Sequence, residues 1–537
     1  MRRTLSLLLG ATLAGGSVVA VSGPVERAAA ATTRAEAHAA NTDFDGDGWA
    51  DLATTSQTVQ GDDVYLDRVH VLYGGRSGIS RRVQTWSATD FGAGGWYGSQ
   101  WASTIAVGDF DGDGYGDLAI GGAGHGAGVR VLYGSRRGLS KSGTHQFSPA
   151  LAPGGVDANW QFGTSLTAGN FGRGGADELA IGSPVNGSGV VLVLYGTRRG
   201  LTATGRQVWS LRTPGLKPAA DPANHGLGQD GFGTSLAVGR FAGGAYDDLA
   251  VGAPSEIVGR TDGEGAVHVL RGTKNGLTVT GNQVWTQNSP GIGEIAEPGD
   301  DFGSVLTTGD FQGDGRDDLV IATPSESIGR VPGPVDNNRP VAGLIHVLYG
   351  SSRGLTATGS QVWSQNSPGV KGVSEDFDHF GRALAAGQFG KDPGKKRYAD
   401  LAIGVADEDV GFTLRAGGFN VLYGSKHGLT AKSHQFWTQN RNGVKGRSEY
   451  SDGYGHALVA AQFGRDKRRN GYSALAVSAP NEVTPSGRTG AISVVYATAH
   501  GLSAAHDQAL YPPRVHIGGE TTWFGGVFAA NGASPRL

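Results

Sequence analysis

The chain has 537 residues, of which 93 are glycine and none is cysteine. The lack of cysteine excludes disulfide bonds, thiolate zinc sites and cysteine nucleophiles. A formal net charge of −3 does not indicate a polyanionic partner, so we expect no binding of nucleic acid. Glycine spread along the whole chain indicates many tight turns.

The first 31 residues have the pattern of an export signal. Arg2 and Arg3 supply the positive start, residues 5–21 form an apolar run, and alanines at 28–30 provide the small residues that a signal peptidase requires. The run is short and interrupted by glycine, which favours a cleaved signal over a membrane anchor. We therefore expect a signal peptide at 1–31, a linker at 32–42, and a secreted mature protein without a transmembrane segment. The choice between Sec and twin-arginine export stays open.

A nine-residue turn recurs seven times and sets the period of the fold. The copies lie 60 to 78 residues apart and read LYGGRSGIS at 72–80, LYGSRRGLS at 132–140, LYGTRRGLT at 194–202, LRGTKNGLT at 270–278, LYGSSRGLT at 348–356, LYGSKHGLT at 422–430 and VYATAHGLS at 495–503. Alternating apolar residues precede each copy and a second short strand follows it. Repeats of this kind without helical periodicity are typical of propeller blades.

A second pair of strands completes each repeat. The first of the pair begins with Phe-Gly, as at Phe162, Phe232, Phe302 and Phe380, and ends in a polar loop. The other begins with a segment such as DLAIG at 117–121. Each repeat thus holds four antiparallel strands, which we name A to D in chain order.

The two ends of the repeat region complement each other. The first unit begins at Asp43, inside an A–B loop, and lacks strand A, whereas residues 523–528 have the pattern of a strand A without strands B to D after it. Joining the two removes exposed sheet edges. We therefore predict an all-β fold, a seven-bladed β-propeller of four-stranded antiparallel blades at 43–530. The C-terminal strand closes it by joining the N-terminal blade, and a tail at 531–537 follows.

These motifs resemble the FG-GAP repeat, which forms the N-terminal propeller of integrin α chains and occurs in many secreted bacterial proteins. The resemblance depends on the Phe-Gly strand start, on the loop D-x-D-G-D-G-x-x-D at 109–117 and on Gly-Ala-Pro at 252–254, and it covers about residues 43–530. Only one unit has Gly-Ala-Pro in full, and several A–B loops lack the acidic pattern. The resemblance implies the fold, calcium in A–B loops and a binding role, but it does not name the ligand.

Two A–B loops carry oxygen ligands at the spacing that a calcium ion requires. Calcium binds six to eight hard oxygens, and the glycines between the acidic residues allow the loop to bend around an ion. The first loop offers Asp43, Asp45, Asp47, the carbonyl of Trp49 and Asp51, and the second offers Asp109, Asp111, Asp113, the carbonyl of Tyr115 and Asp117. We predict one calcium ion in each, because four clustered carboxylates repel one another unless a cation is present.

The A–B loop of the fifth unit is predicted to bind a third calcium ion more weakly. Its ligand positions are Asp310, Gln312, Asp314, Arg316 and Asp318, so that one carboxylate is replaced by an amide. The third unit has too few ligands, and we predict no metal in the fourth, sixth and seventh, where basic residues occur. An EF-hand is excluded, because its glutamate position is Thr54 or Ile120 and a strand follows.

The antiparallel order of strands assigns the loops to two faces. The A–B and C–D turns share one face, and the B–C and D–A loops share the other. The second face is acidic in the later units, at Glu294, Glu297, Asp300 and Asp301, at Glu375, Asp376 and Asp378, and at Glu449 and Asp452. Long loops on a rigid scaffold often carry function, and a solvated rim of charge is the alternative interpretation.

The sequence has no H-E-x-x-H, G-x-S-x-G or P-loop motif, and we predict that the chain is not an enzyme. His379 and His456 lie near acidic residues, but such pairs are more often capped loop residues than acid–base catalysts. The favoured function is a monomeric binding or adhesion module for an extracellular protein or glycan. The alternative is a propeller hydrolase or lyase acting on polysaccharide, with paired carboxylates around Asp300–Asp301 or Glu375–Asp378.

Overall fold

The computed structural model describes residues 42–60, 63–91, 100–123, 128–151, 161–184, 189–219, 230–258, 263–328, 341–392, 397–441, 443–464, 471–484, 487–512 and 521–528. The predicted signal peptide, the predicted tail and all of the predicted linker except Thr42 lie outside these residues. The helices described are two 3₁₀ turns, Ala88–Phe91 and Pro149–Leu151. No helix in the described ranges is long and apolar enough to cross a membrane.

Seven four-stranded antiparallel sheets form a ring, each with its strands in the order A-B-C-D, so the predicted seven-bladed propeller is confirmed. Strands A of blades 2 to 7 contact their neighbours at the centre, and strands D form the outer edges. In the order A, B, C, D the strands are Thr521–Thr522, Leu52–Gln60, Asp63–Leu72 and Val83–Ser87 in blade 1; Gln100–Gly108, Asp117–Ala123, Val129–Tyr133 and Ser140–Phe147 in blade 2; Ser165–Gly169, Glu178–Ser183, Val190–Tyr195 and Thr202–Trp209 in blade 3; Ser235–Gly239, Asp248–Ala253, Ala266–Thr273 and Gly276–Trp285 in blade 4; Val305–Gly309, Asp318–Thr323, Leu344–Ser351 and Gly354–Trp363 in blade 5; Leu384–Gly387, Asp400–Val405, Gly418–Tyr423 and Thr430–Trp437 in blade 6; and Leu458–Ala461, Ala474–Ala479, Ala491–Thr498 and Gly501–Leu510 in blade 7. A short hairpin, Val483–Thr484 with Gly487–Arg488, lies in the B–C loop of blade 7.

The inner strands are buried on both sides, because each blade is covered by its two neighbours. All residues of strand B in blade 4, Asp248–Ala253, are buried, which explains why such strands are continuous runs of small and branched apolar residues rather than alternating ones. The hydrophobic clusters join adjacent blades: Phe302 and Leu319 of blade 5 pack with Val267 of blade 4. The core of the protein is therefore a set of interfaces between blades.

The C-terminal segment completes blade 1, as predicted, but the strand that pairs there is Thr521–Thr522, just before the predicted residues 523–528, of which Phe528 forms an isolated bridge with Thr54. Thr522 pairs with Gln57, and the amide of Thr55 donates a hydrogen bond to the carbonyl of Val527 at 3.3 Å. Phe524 is buried in the hydrophobic cluster between blades 7 and 1. The ring is thus closed by hydrogen bonds and by apolar packing.

A hydrogen-bonded clasp joins neighbouring blades near the C–D turns. In blade 4, the Gln283 side chain accepts a hydrogen bond from the amide of Leu355 in blade 5 at 2.8 Å and donates one to its carbonyl at 2.8 Å. Equivalent pairs of bonds join Gln207 to Leu277, Gln361 to Leu429, Gln435 to Leu502 and Gln508 to Ile79. Between blades 1 and 2, Gln84 donates to the carbonyl of Leu139, but the amide of Leu139 donates to the Tyr73 hydroxyl. Between blades 2 and 3, Tyr133 accepts from the amide of Leu201 instead. The clasps hold the blades in register around the ring.

Candidate calcium loops and the opposite face

The A–B loop of blade 2 folds around its first carboxylate. Asp109 accepts hydrogen bonds from the amides of Asp113 and Gly114, both at 3.1 Å. Gly112 and Gly114 have φ angles of 71° and 91°, a region that favours glycine. The glycines of the motif are therefore required by the bend of the loop. In blade 1, Asp43 accepts in the same way from the amides of Asp47 and Gly48.

The last carboxylate of the loop ties it to the C–D turn. Asp117 accepts from the amide of Phe110 at 2.7 Å and from the amide of Gly134, at the start of the C–D turn, at 2.8 Å. The same bond to the turn joins Asp51 to Gly74, Asp248 to Gly272, Asp318 to Gly350 and Asp400 to Gly424. The two kinds of turn therefore adjoin on one face. Because Asp248 and Asp400 lie in loops with no predicted metal, this capping role does not depend on an ion.

Two A–B loops each bring three carboxylates together. Ligand oxygens of Asp43, Asp45 and Asp51 lie within 4.8 Å of one another, and so do those of Asp109, Asp111 and Asp117. The remaining carboxylates, Asp47 and Asp113, accept from the amides of Trp49 and Tyr115, both at 2.9 Å. The ligand roles of all ten residues predicted for these two loops stay predictions.

Burial and mutual repulsion make these carboxylates costly to ionise. Burial, with smaller contributions from neighbouring carboxylates, raises the pKa of Asp51 and of Asp117 to about 8. Burial and the charge of Asp113 raise the pKa of Asp111 to about 6. A divalent cation held by the same oxygens would offset the repulsion and favour the ionised forms.

The loops of blades 1 and 2 differ in their nearest cation. In blade 1, Arg82 forms an ion pair with Asp45, and its guanidinium carbon lies 3.7 Å from the centre of the Tyr73 ring. In blade 2, the loop carboxylates form no ion pair within the described ranges. Arg82 supplies part of the positive charge that an ion would bring, so the blade 2 loop is the stronger calcium candidate.

The A–B loop of blade 5 has the same frame but a different centre. Asp310 accepts from the amides of Asp314 and Gly315 at 2.9 and 2.8 Å. Asp314 pairs with Arg316, whose Nη1 lies 2.7 Å from Oδ2. Burial raises the pKa of Asp310 to about 6 and that of Asp318 to about 8. Gln312 is half-buried, and the third calcium ion stays a prediction.

A further set of acidic residues, which the sequence analysis missed, links the A–B loops of blades 2, 3 and 4 to the next blade. Asp177 accepts from the amide of Asp109 at 3.0 Å, Asp247 from that of Asn170 at 2.9 Å, and Asp317 from that of Arg240 at 2.7 Å. Each donor belongs to the preceding blade, and each acceptor stands one residue before the capping acid. The doubled acidic pair is the signal for this role in the sequence.

The exposed large apolar side chains of the described residues lie on the opposite face. They are Ile295, Val373, Phe377, Phe412, Leu414, Tyr450 and Val483, all in D–A connections or B–C loops of blades 4 to 7. Phe412 is fully exposed. Grouped exposed apolar side chains mark interaction sites more often than chance surface composition does.

The histidines near the starts of strands A have different environments. His379 Nδ1 lies 3.2 Å from Asp407 Oδ2, and Arg382 Nη1 lies 3.3 Å from the same Asp407 oxygen. Burial raises the pKa of Asp407, but its hydrogen bond with His379 and the charge of Arg382 outweigh this and lower it. His456 is buried, and burial lowers its pKa to about 4. Its ring is therefore uncharged near neutral pH.

Comparison with known proteins identifies the repeat. The FG-GAP repeat family matches residues 101–133 and 302–348. Two integrin chains are similar: integrin alpha-PS2 of Drosophila melanogaster, 27 % identical over 270 residues, and integrin alpha-7 of Homo sapiens, 30 % identical over 187 residues. The chain is therefore a propeller that contains FG-GAP repeats and is similar to integrin alpha chains over part of its length. These matches cover 49 % and 34 % of this chain, but only 16 % and 13 % of the two integrins.

The FG-GAP propeller is also similar to proteins named as enzymes. Phosphatidylinositol-glycan-specific phospholipase D of Mus musculus is 27 % identical over 235 residues, which are 42 % of this chain and 24 % of the relative. A Bacillus licheniformis rhamnogalacturonan lyase structure matches with a TM-score of 0.34 and 11 % identity, over 84 % of this chain and 70 % of that one. The exotype lyase YesX matches with a TM-score of 0.31 and 12 % identity, over 84 % of both.

The prediction that the chain is not an enzyme is therefore wrong as it stands. It depended on the absence of short catalytic motifs, and three rhamnogalacturonan lyases are among the matching structures. At these TM-scores and identities the likeness does not assign an activity to the FG-GAP propeller. Enzymatic function has to be argued from side chains of this chain.

Proposed function

We propose that the FG-GAP propeller is an exported calcium-binding protein that binds an extracellular protein or glycan through its long-loop face. We define this face as the B–C loops and D–A connections of blades 4 to 7. The observation that carries the proposal is the division of the molecule: the two A–B carboxylate groups lie on one face and the exposed large apolar side chains lie on the other.

Calcium is the cation that the A–B loops favour. Their side-chain donors are carboxylate oxygens, which suit hard cations. In blade 2, Asp109, Asp111 and Asp117 would hold the ion, and Asp113 with the Tyr115 carbonyl would complete its shell. The blade 1 loop would bind in the same way against competition from Arg82. The blade 5 loop would bind the ion more weakly, because Asp314 already forms an ion pair with Arg316.

The long-loop face combines apolar contact area with acidic groups. Phe377, Phe412 and Tyr450 present aromatic rings, which offer a large contact area at a small cost in side-chain entropy. Glu375 and Glu449, in the same connections, are exposed hydrogen-bond acceptors. The closed ring beneath them is a rigid scaffold of the kind on which binding loops are displayed.

Binding measurements on face variants test this proposal. The mature chain is screened against glycan and extracellular-protein arrays in calcium, and the strongest hit is titrated. Replacing Phe412 and Tyr450 by serine should weaken affinity at least about tenfold. Replacing Arg198 and Arg199, exposed on the calcium face, by serine should leave affinity unchanged. The opposite pattern, or no hit on either array, contradicts the proposal.

A second candidate function is catalysis on an extracellular polysaccharide, favoured by the geometry of His379 with Asp407 and Arg382. A carboxylate that orients an imidazole can support general base catalysis, and a guanidinium group beside it can stabilise developing negative charge. The test is release of reducing ends or unsaturated products from polysaccharides. Turnover should be lost in His379→Ala and kept in His427→Ala, a variant on the opposite face. Absence of turnover by the wild-type protein contradicts this candidate.

Export and a monomeric state belong to the main proposal. Arg2, Arg3 and the apolar run at 5–21 support a cleaved signal. N-terminal sequencing of protein from the culture medium should give a start near residue 32, and light scattering should give the mass of one chain. Retention in the membrane fraction contradicts the export part of the proposal.

A further inference from the structure

A third group of carboxylates lies on the long-loop face, where blade 4 meets blade 5. Ligand oxygens of Glu297, Asp300 and Glu326 lie within 4.8 Å of one another. Glu297 and Asp300 belong to the connection between the two blades, and Glu326 follows strand B of blade 5. Asp300 and Glu326 are buried, so this group is not a solvated rim of charge.

A buried amide oxygen at this group has no partner. Gln287, just after strand D of blade 4, is 1 % exposed. Its Nε2 donates to Glu326 Oε2 at 2.7 Å, while its Oε1 is buried and accepts no hydrogen bond from the residues that the structure describes. A buried acceptor without a donor is unfavourable. A cation among the carboxylates would provide the missing partner, because the amide can then turn its oxygen toward the positive charge.

Blade 4 shows that a glutamate at the position of Glu326 can form a hydrogen bond with a histidine of strand C. In blade 4 the equivalent residue, Glu256, bonds to His268 Nε2 on strand C at 2.7 Å. Blade 5 has His346 at the same strand position, yet neither nitrogen of this buried ring has a partner among the described residues. Glu326 thus faces carboxylates and an amide rather than an imidazole, an arrangement that a cation would stabilise.

The same residue types recur at the next two blade junctions. They are Gln365, Glu375, Asp378 and Glu408 between blades 5 and 6, and Gln439, Glu449, Asp452 and Glu482 between blades 6 and 7. In each set the glutamine Nε2 donates to the last glutamate, and the glutamine Oε1 is buried without a partner within the described ranges. The arrangement is therefore a repeated feature of these blade junctions. Among the described residues, its acidic groups come closest together between blades 4 and 5.

We propose that the junction of blades 4 and 5 is a divalent-cation site formed by Glu297, Asp300 and Glu326, with Gln287 Oε1 as a fourth ligand. All donors are carboxylate or amide oxygens, which favours a hard cation such as calcium or manganese over zinc or copper. The connection that supplies two of the ligands also carries the exposed Ile295. An ion there holds part of the long-loop face in place, independently of the A–B loops.

Manganese binding tests the site separately from the A–B loops. The mature chain with Asp45→Asn, Asp111→Asn and Asp314→Asn is the background, and free manganese is followed by electron paramagnetic resonance. The background should retain a bound ion that Glu326→Gln or Asp300→Asn removes. Asp301→Asn, a carboxylate next to the group but outside it, should keep the ion. Circular dichroism and thermal melts establish that each variant is folded.

Two outcomes overturn the proposal. One is a folded background that binds no manganese, and the other is a folded Glu326→Gln variant that binds as much as the background. A crystal of the wild-type protein soaked in manganese gives a second measurement, with anomalous density expected between Glu297, Asp300 and Glu326. Density confined to the A–B loops would refute this site while supporting the proposed calcium loops.

Discussion

The A–B loops of blades 2 and 5 share the same hydrogen bonds at their two ends, but their central side chains differ in how well they can bind a cation. In both, the first aspartate accepts two loop amides and the last aspartate ties the loop to the C–D turn. Blade 2 brings three carboxylates together, whereas in blade 5 Arg316 pairs with Asp314. The ends of the loop set its shape, and the residues between them decide how well it can hold an ion.

The largest loss of stability is expected at Asp117, because this residue both accepts the hydrogen bonds that shape the loop and is a predicted calcium ligand. Asp117→Ala leaves the amides of Phe110 and Gly134 without their acceptor, and we expect a loss of about 2–4 kcal/mol in the free energy of unfolding. The loss should be larger in calcium than in EGTA. Asp400→Ala, the same position in blade 6, should cost a similar amount in both buffers. Denaturant titrations measure the free energy of unfolding of both variants in the two buffers. If calcium changes the loss by the same amount in both variants, Asp117 only accepts hydrogen bonds and does not bind the ion.

Removing calcium with a chelator measures how much the ion stabilises the protein, apart from the hydrogen bonds of the loop. EGTA should lower the melting temperature of the wild-type protein by several degrees, because an ion bound only to the native state stabilises it. Asp111→Asn removes a ligand and one of the repelling charges but keeps both caps, so it should shrink this difference without lowering the melting temperature in EGTA. Asp376→Asn, on the long-loop face, should keep the full difference. A wild-type melting temperature unaffected by EGTA would contradict calcium in the loops.

Acid titration uses a difference in strand C. Where blade 2 has Arg130, blade 5 has His346, whose pKa burial lowers to about 3. The unfolded histidine, with a pKa near 6.5, gains a proton that the folded one does not, so stability falls as pH drops from about 6.5 toward 3. The His346→Asn variant carries the residue that blade 6 has at this position, Asn420. Between about pH 6.5 and 5.5 in EGTA, its free energy of unfolding should fall by about 1 kcal/mol less than that of the wild-type protein. His427→Asn is the exposed control, and an equal saving there would refute the assignment.

The smallest expected effect is a gain in affinity. Arg316→Gln releases Asp314 from an exposed ion pair of about 1 kcal/mol or less, so the blade 5 loop should bind calcium up to about five times more tightly. Arg353→Gln, exposed in the C–D turn of the same blade, is the matched control. Calorimetric titration compares the two, and identical affinities would mean that Arg316 does not limit binding.

The fold was predictable because its signals are local. The turn copies, the Phe-Gly pairs and the incomplete first and last units are short patterns, and the structure pairs Thr522 and Phe528 with blade 1. The Phe-Gly pairs do not begin strand A as predicted, because they lie in the turn three or four residues before it. The positions of the acidic loops were predictable for the same reason. Their individual roles were not, since spacing treats Asp113 and Asp117 alike. Only the folded chain directs Asp117 to Gly134, 17 residues away.

Contacts between distant segments could not be predicted from spacing. Arg82 and Asp45 are 37 residues apart, and Gln283 and Leu355 are 72 residues apart. His379 and Asp407, which come from two different loops, form a pair that no sequence motif describes. For this reason the absence of a catalytic motif was a poor basis for excluding an enzyme.

Closure through residues 521–528 also sets the order in which the molecule can be completed during synthesis. Leu52–Gln60 is the first strand of the ring to be made, but its partner on the inner side, Thr521–Thr522, is the last strand of the ring to be translated. Until then, an unpaired strand edge stays open to other chains. A polypeptide interrupted before Thr521 keeps that edge permanently and is left to proteases and chaperones. Formation of the closed ring thus depends on translation of one short strand that lies far from its partner in the chain.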